Sequence, residues 1–269
     1  LSAVSANFVL PPEDVAMLDV KGLRKNFRGI AAVQDVSFNV RQGEVVSLIG
    51  PNGAGKTTCF NLITGFYKPD SGGVFLEGHD VTGMEPSAMA ALGVVRTFQK
   101  TNIFKNLTVF ENVLTARHRL GIRSLWKNLL PGRLVRESER RLRDDAAEIV
   151  HLVGLSGRIN TLSSSLSCGE LRLLEVATAL GAGPRLLMLD EPAAGLNTEE
   201  ALVLGKALRG LLGTKIEALL LVEHNMSLVM AVSDRVVVMN FGQKLTEGRP
   251  DEVRRNPRVV EAYLGKSAA

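Results

Sequence analysis

The chain is poor in cysteine, in long apolar runs and in charge of one sign, and each shortage removes a class of protein. Cys59 and Cys168 are its only cysteines, too few for a disulfide framework and without the spacing of a metal site. A reducing compartment such as the cytoplasm suits them. No apolar run approaches the roughly 20 residues that cross a bilayer. The longest candidate, residues 218–222, stops at Glu223 and His224. The opening Leu1-Ser2-Ala3-Val4-Ser5-Ala6-Asn7 has no basic stretch followed by an apolar one, so it does not read as a signal peptide, and residues 1–16 read as an N-terminal extension. There is no internal repeat and no low-complexity segment. The net charge of +4 is mild but uneven: residues 115–143 hold nine Lys/Arg against two Asp/Glu, a local +7 that leaves −3 for the rest. Such a segment suits a solvated helical face as well as a surface that meets phosphates or an anionic membrane.

What is present points to an α/β protein. The 269 residues, 45% apolar and 22% charged, are enough for a substantial core with an added lobe. Residues 17–49 and 73–98 are rich in short strand-like runs, such as Val36-Ser37-Phe38-Asn39-Val40 and Gly73-Val74-Phe75-Leu76-Glu77. Over 111–152 the period becomes helical, broken at Pro131-Gly132, with Leu142, Ala146, Ile149 and Val153 at three- and four-residue spacing. Strand-like runs return at 186–189, 218–222 and 236–239, with a helical stretch over 198–212. Alternating strands and helices predict a largely parallel sheet, and the helical stretch reads as a lobe inserted into it.

Gly50-Pro51-Asn52-Gly53-Ala54-Gly55-Lys56-Thr57-Thr58 follows a strand-like run and precedes a helical one, the context a phosphate-cradling loop requires. Glycines let successive backbone N–H groups turn toward a β-phosphate at a helix N-terminus. Lys56 would bridge the β- and γ-phosphates and the Thr57 hydroxyl would sit on Mg²⁺, so ATP or GTP is the expected ligand. Leu186-Leu187-Met188-Leu189-Asp190-Glu191 is an apolar strand ending in two carboxylates. Asp190 there suits Mg²⁺, and Glu191 suits a general base or a group that orients water.

Leu166-Ser167-Cys168-Gly169-Glu170, 20 residues before that strand, resembles the Leu-Ser-Gly-Gly-Gln signature of ABC-type ATPases. The same serine also suits a helix N-cap. The resemblance implies a P-loop NTPase core of ABC type with an antiparallel β subdomain and an inserted α-helical subdomain. The core would take residues 17–99 and 181–248, the helical subdomain 100–180, and a helical tail 249–269. It further implies that Ser167, Cys168, Gly169 and Glu170 belong to an ATP site, with Ser167 and the Gly169 backbone on the γ-phosphate, that Gln99 contacts Mg²⁺ and the attacking water, and that His224 touches the γ-phosphate. Phe27 stands where an aromatic stacks on adenine, and Asn197 replaces the more usual aspartate of a loop that crosses to the other protomer. Cys168 and Glu170 depart from the commonest signature residues.

Within that superfamily the chain looks most similar to the ATP-binding subunits of branched-chain amino acid importers. The supporting segments are Arg96-Thr97-Phe98-Gln99, Pro192-Ala193-Ala194-Gly195-Leu196-Asn197, Glu223-His224-Asn225-Met226-Ser227-Leu228-Val229-Met230 and the tail from Asn256 through Tyr263-Leu264-Gly265. The implied partners are membrane permease subunits, a second ATP-binding subunit, identical or paralogous, and indirectly a periplasmic solute-binding protein. The implied location is the cytoplasmic face of the inner membrane. Related systems for urea or lipopolysaccharide share much of the pattern and stay open at this point. A nucleic-acid-linked ATPase of the superfamily has only the +7 segment in its favour, and neither tandem cassettes nor a long coiled coil is present. No nucleic-acid partner is expected.

Overall fold

The computed structural model describes residues 16–97, 103–121 and 132–264. Its first strands form a hairpin for a local reason: β1 (Leu18–Phe27) and β2 (Ile30–Val40) meet at Phe27↔Ile30, and the two turn residues, Arg28 and Gly29, both have positive φ, 45° and 87°. A two-residue turn of that hand matches the twist of the strands it joins. Val36, Phe38 and Val40 alternate inward along β2. The device repeats at Glu77-Gly78, between β4 (Ser71–Leu76) and β5 (His79–Asp80). The resulting four-stranded antiparallel sheet runs β2-β1-β4-β5.

The second sheet has the order β10-β9-β3-β8-β7-β6. Its members are β3 (Val45–Ile49), β6 (Val94–Arg96), β7 (Leu186–Asp190), β8 (Ala218–Val222), β9 (Arg235–Asn240) and β10 (Gln243–Gly248). All neighbours are parallel except the terminal hairpin β9/β10. Every residue of β3, β7 and β8 is buried, which explains their unbroken apolar runs: both faces of a parallel sheet are covered.

One face packs against the antiparallel sheet and α1 (Lys56–Ile63), through Leu18, Val36, Phe60, Leu62 and Met188 among others. The other face carries the helices α3 (Val109–Gly121), α4 (Gly132–Leu152), α5 (Cys168–Gly181) and α6 (Thr198–Leu211). The expected stripe on α4 holds, since Ala146 and Ile149 are buried, as is Val153 just beyond its end. The six-residue α2 (Pro86–Ala91) lies where strand-like runs were expected, and the short α7 (Met226–Val232) follows β8. The tail forms α8 (Pro250–Arg255) and α9 (Pro257–Leu264), whose Val253 and Val259 pack with Ile49, Val236 and Val238. Among the described residues no helix is long and apolar enough to cross a membrane.

Candidate functional site

Parallel strands deliver their C-terminal ends to one edge, and ligands of open α/β sheets bind outside that edge. Here β3 ends at Ile49 and runs into the loop of residues 50–55, β7 ends at Asp190 and Glu191, and β8 ends at Glu223 and His224. Asp190 pairs with Val222 across the ladder, and the Glu191 N–H donates to Val222 O at 2.8 Å. Three separate segments thus converge without any of them being adjacent in sequence.

The loop can only be built with glycine at two of its positions. A Cβ on Gly50 would stand 2.2 Å from Met239 O, and one on Gly55, whose φ is 95°, 2.4 Å from Ala32 O. The loop is also tied to the rest of the fold, since the Gly242 N–H donates to Ala54 O at 3.0 Å. Gly55 is the N-cap of α1 and supplies no side-chain acceptor, so the first-turn N–H groups point at whatever the loop holds. Asn52, Gly53 and Thr57 are exposed, Thr58 is half-buried and Ala54 is buried. From the far side, the Tyr263 phenol of α9 sits against this loop: burial raises its pKa against the opposing pull of a backbone hydrogen bond with Gly50.

Lys56 is buried and folds back across the loop, donating from Nζ to Gly50 O at 2.7 Å and to Pro51 O at 3.1 Å. Burial lowers its pKa, and the charges of Glu191 and Asp190 work the other way. The ammonium is therefore already aimed between the loop and the two carboxylates.

Asp190 is buried, and that burial raises its pKa although Arg96 opposes it. Arg96 donates from Nη2 to Asp190 Oδ2 at 2.8 Å, with side chains only 9% and 1% exposed. It also bonds Asn61 and Thr64 of the loop-bearing helix segment, and lies over the Phe60 and Phe66 rings. The second oxygen, Asp190 Oδ1, is buried and has no hydrogen-bond partner among the described residues. An orphaned buried carboxylate oxygen fits a hydrated Mg²⁺, and Thr57, exposed in the first turn of α1, carries a hydroxyl of the kind that ion takes.

Glu191 has a left-handed backbone, φ 50°, uncommon for a residue with a side chain. Its Oε1 lies 3.8 Å from His224 Nδ1, and the His224 side chain is 57% exposed. A carboxylate and an imidazole facing the same open space can share the handling of a water and an anion. Phe27 is not core: it is 38% exposed and meets Tyr67 edge-on at 5.2 Å, leaving ring area open to a ligand. Gln99 lies outside the described residues. The strand that leads to it runs beside Asp190, where the Asp190 N–H donates to Thr97 Oγ1 at 3.4 Å.

The segment 166–170 opens α5. Ser167 is the N-cap and forms a reciprocal box with Glu170: Glu170 N donates to Ser167 Oγ at 3.2 Å and Ser167 N to Glu170 Oε2 at 2.8 Å. Glu170 is held below its usual pKa by the Ser167 backbone and then by Arg158, whose Nε donates to Oε1 at 2.7 Å. The departure from glutamine thus has a local reason, a cap plus an ion pair. Cys168 is exposed, and a Cβ on Gly195 would lie 3.6 Å from its Sγ. Arg172, one turn on, donates twice to Ala194 O.

Sequence reasoning gave no role to Arg96, Arg172 or Glu223. A lone charged residue at a strand end or on a helix has no distinguishing spacing, and their partners lie 94, 22 and 30 positions away in the chain.

Comparison with known proteins follows the same lines. Residues 33–194 match the family model described as ABC transporter, and residues 243–269 that described as branched-chain amino acid ATP-binding cassette transporter. The chain is 44% identical over 251 residues to the high-affinity branched-chain amino acid transport ATP-binding protein LivG of Salmonella typhimurium, covering 93% of this chain and 98% of that one. It is 43% identical over 251 residues to BraF of Pseudomonas aeruginosa, which carries the same description, with the same shares covered. Among solved structures, a nucleotide-free ATP-binding cassette from an ABC transporter matches at 33% identity and a TM-score of 0.79, covering 93% of this chain and 100% of that one. The ADP conformation of an ATP-binding cassette of an ABC transporter matches at 33% identity and a TM-score of 0.80, covering 93% and 99%.

Proposed function

Because this chain belongs to the ABC transporter family, as an ATP-binding subunit that hydrolyses ATP, we propose that it energises the import of branched-chain amino acids across the cytoplasmic membrane. The observation that carries the choice of solute is the tail: residues 243–269 match a family model specific to branched-chain amino acid cassettes. The identity to LivG and BraF over nearly the whole chain supports it. Its partners are membrane permease subunits, a second ATP-binding subunit, and through the permeases a periplasmic binding protein. It works as a peripheral subunit on the cytoplasmic face.

In this reading the free N–H groups of the loop and of the first turn of α1 receive the β-phosphate, and Phe27 offers a ring face to adenine. Lys56 exchanges Gly50 O and Pro51 O for phosphate oxygens. Thr57, Asp190, whose Oδ1 is left without a partner, and Gln99 would hold Mg²⁺, which would supply charge neutralisation at the phosphate oxygens. Glu191 takes the proton of the attacking water, and His224 steadies the γ-phosphate at the same edge. Ser167, Cys168, Gly169 and Glu170 close over the nucleotide held by the second subunit, again at a helix N-terminus. Nucleotide-dependent closing and reopening of this pair drives the permeases.

Glu191→Gln keeps ATP binding, slows hydrolysis by roughly 10²- to 10⁴-fold and accumulates an ATP-bound dimer. Normal turnover by this variant, measured as phosphate release, assigns the base elsewhere. For the solute, cells lacking the chain lose uptake of labelled leucine, isoleucine and valine and regain it when the gene is returned. Unchanged leucine uptake together with lost uptake of another solute overturns the assignment.

A further inference from the structure

Glu223 is fully buried, yet it is a carboxylate with no bonded Lys or Arg among the described residues. Its Oε1 accepts from the Ala193 N–H at 2.8 Å, and its Oε2 accepts from the N–H groups of His224 at 2.8 Å and Asn225 at 2.9 Å. Burying a carboxyl group is costly unless its oxygens are hydrogen-bonded, and here every hydrogen bond comes from a loop amide, with the His224 ring Nδ1 a further 4.0 Å from Oε2. None of the three bonds serves the sheet. The ends of β7 and β8 are already pinned by the ladder and by the Glu191 N–H to Val222 O bond, so strand pairing does not require this group. What the three bonds fix is the position of one loop relative to another: the turn that follows Glu191, and the turn that carries His224.

We infer that Glu223 is a positioning residue that holds Glu191 and His224 in register, so that the two act on the γ-phosphate and its water as one unit. The inference rests on the roles proposed above for Glu191 and His224. The linkage extends further, because the loop that Glu223 grips through Ala193 is gripped at the next residue by Arg172 of α5, the helix whose N-cap is Ser167. Two side chains, Glu223 and Arg172, therefore connect the His224 turn through the 193–194 loop to α5. Asn225, which caps α7 by accepting from Leu228 N–H at 3.1 Å, fixes the other side of the same turn.

The test is a double-mutant cycle on purified protein with ATP. His224→Ala and Glu223→Gln are measured singly and together for kcat, KM and nucleotide affinity, with thermal unfolding alongside. Glu223→Gln keeps the shape but sets an NH₂ group against backbone donors, so kcat falls on the order of 10²-fold, the scale of a misplaced reacting group. Nucleotide affinity stays within about twofold, the mark of an effect confined to the transition state. In the Glu223→Gln background His224→Ala costs little more, because residues that act as a unit are non-additive. Glu223→Asp keeps the charge but is too short to reach both loops, and it gives the same loss if the glutamine variant does not fold. Two independent, fully multiplicative losses overturn the inference and leave the site reading standing. A wild-type kcat in the Glu223 variants does the same. If His224→Ala alone has no effect, the site reading fails and this inference fails with it.

Discussion

At Arg96 and Asp190 two opposite charges meet at 2.8 Å with almost no water on either. Such a pair adds little when intact, because desolvation offsets attraction, but removing one partner strands the other. Arg96→Met should destabilise the protein by about 3 to 5 kcal/mol in chemical denaturation, while pairing it with Asp190→Asn should restore most of the loss. Equal losses in the single and double variants would show that packing of Arg96 on Phe60 and Phe66 is what matters. The two cysteines make a second comparison. Cys59 is buried, which pushes its thiol pKa up to about 12, while Cys168 is exposed beside Gly195. An alkylating reagent followed by peptide mapping should find Cys168 modified first, and ATP added to the Glu191→Gln variant should slow that reaction by closing the subunit pair. Equal rates with and without ATP would argue against Cys168 lying at a composite site. At this scale the sequence is informative where chemistry comes as a string. Residues 50–58 and Asp190-Glu191 can be picked out as strings, His224 through the family resemblance, and the structure brings them to one edge. Glu223 and Arg96 cannot, because what distinguishes them is burial and a partner supplied by topology.

Among the elements, α5 and α6 begin alike, with Ser167 and Glu170 on one and Asn197 and Glu200 on the other forming reciprocal caps. Asn197 Oδ1 accepts from Glu200 N–H at 3.0 Å, and Asn and Asp are equally good at this task. Asn197→Ala should therefore cost about 1 kcal/mol of stability, and Asn197→Asp close to nothing. A large loss in the aspartate variant, seen as a lowered denaturation midpoint, would mean that the amide makes a contact the carboxylate cannot. The helices of the lobe and the buried strands are legible from periodicity, because each is long enough or apolar enough to impose a pattern. The six residues of α2 are not: Pro86-Ser87-Ala88-Met89-Ala90-Ala91 spans less than two turns and buries only Met89, so no period can develop. The bulged pairing of β1 with β2 is equally silent in sequence, since register is settled by the partner strand.

The molecule as a whole is tied together by ion pairs between layers. Arg185 joins Glu77 of the antiparallel sheet's turn to Glu217 before β8, and burial of Asp234 is outweighed by the Arg209 fork and the Val45 N–H, which hold its carboxyl below the ordinary value. A carboxyl depressed in the folded state stabilises above the unfolded pKa of about 3.9 and loses that contribution as pH falls through the folded value. Asp234→Asn should therefore flatten the decline of stability on the acid side of pH 4, and an unchanged acid limb in denaturation curves would assign that decline to other carboxylates. The helix α5, capped by Ser167, runs 14 residues or about 21 Å, and after residues 182–185 the chain enters the strand that ends at Asp190. In the proposed function one continuous α–β hairpin thus serves two nucleotides, offering its first residues to the neighbour's and its last to its own. In the proposed subunit pair a copy damaged at Ser167 keeps its own phosphate loop and still assembles, while disabling the site of its intact partner. In genetic terms, where the two subunits are identical such an allele is partly dominant: in a cell carrying both copies, every mixed pair keeps only one complete site.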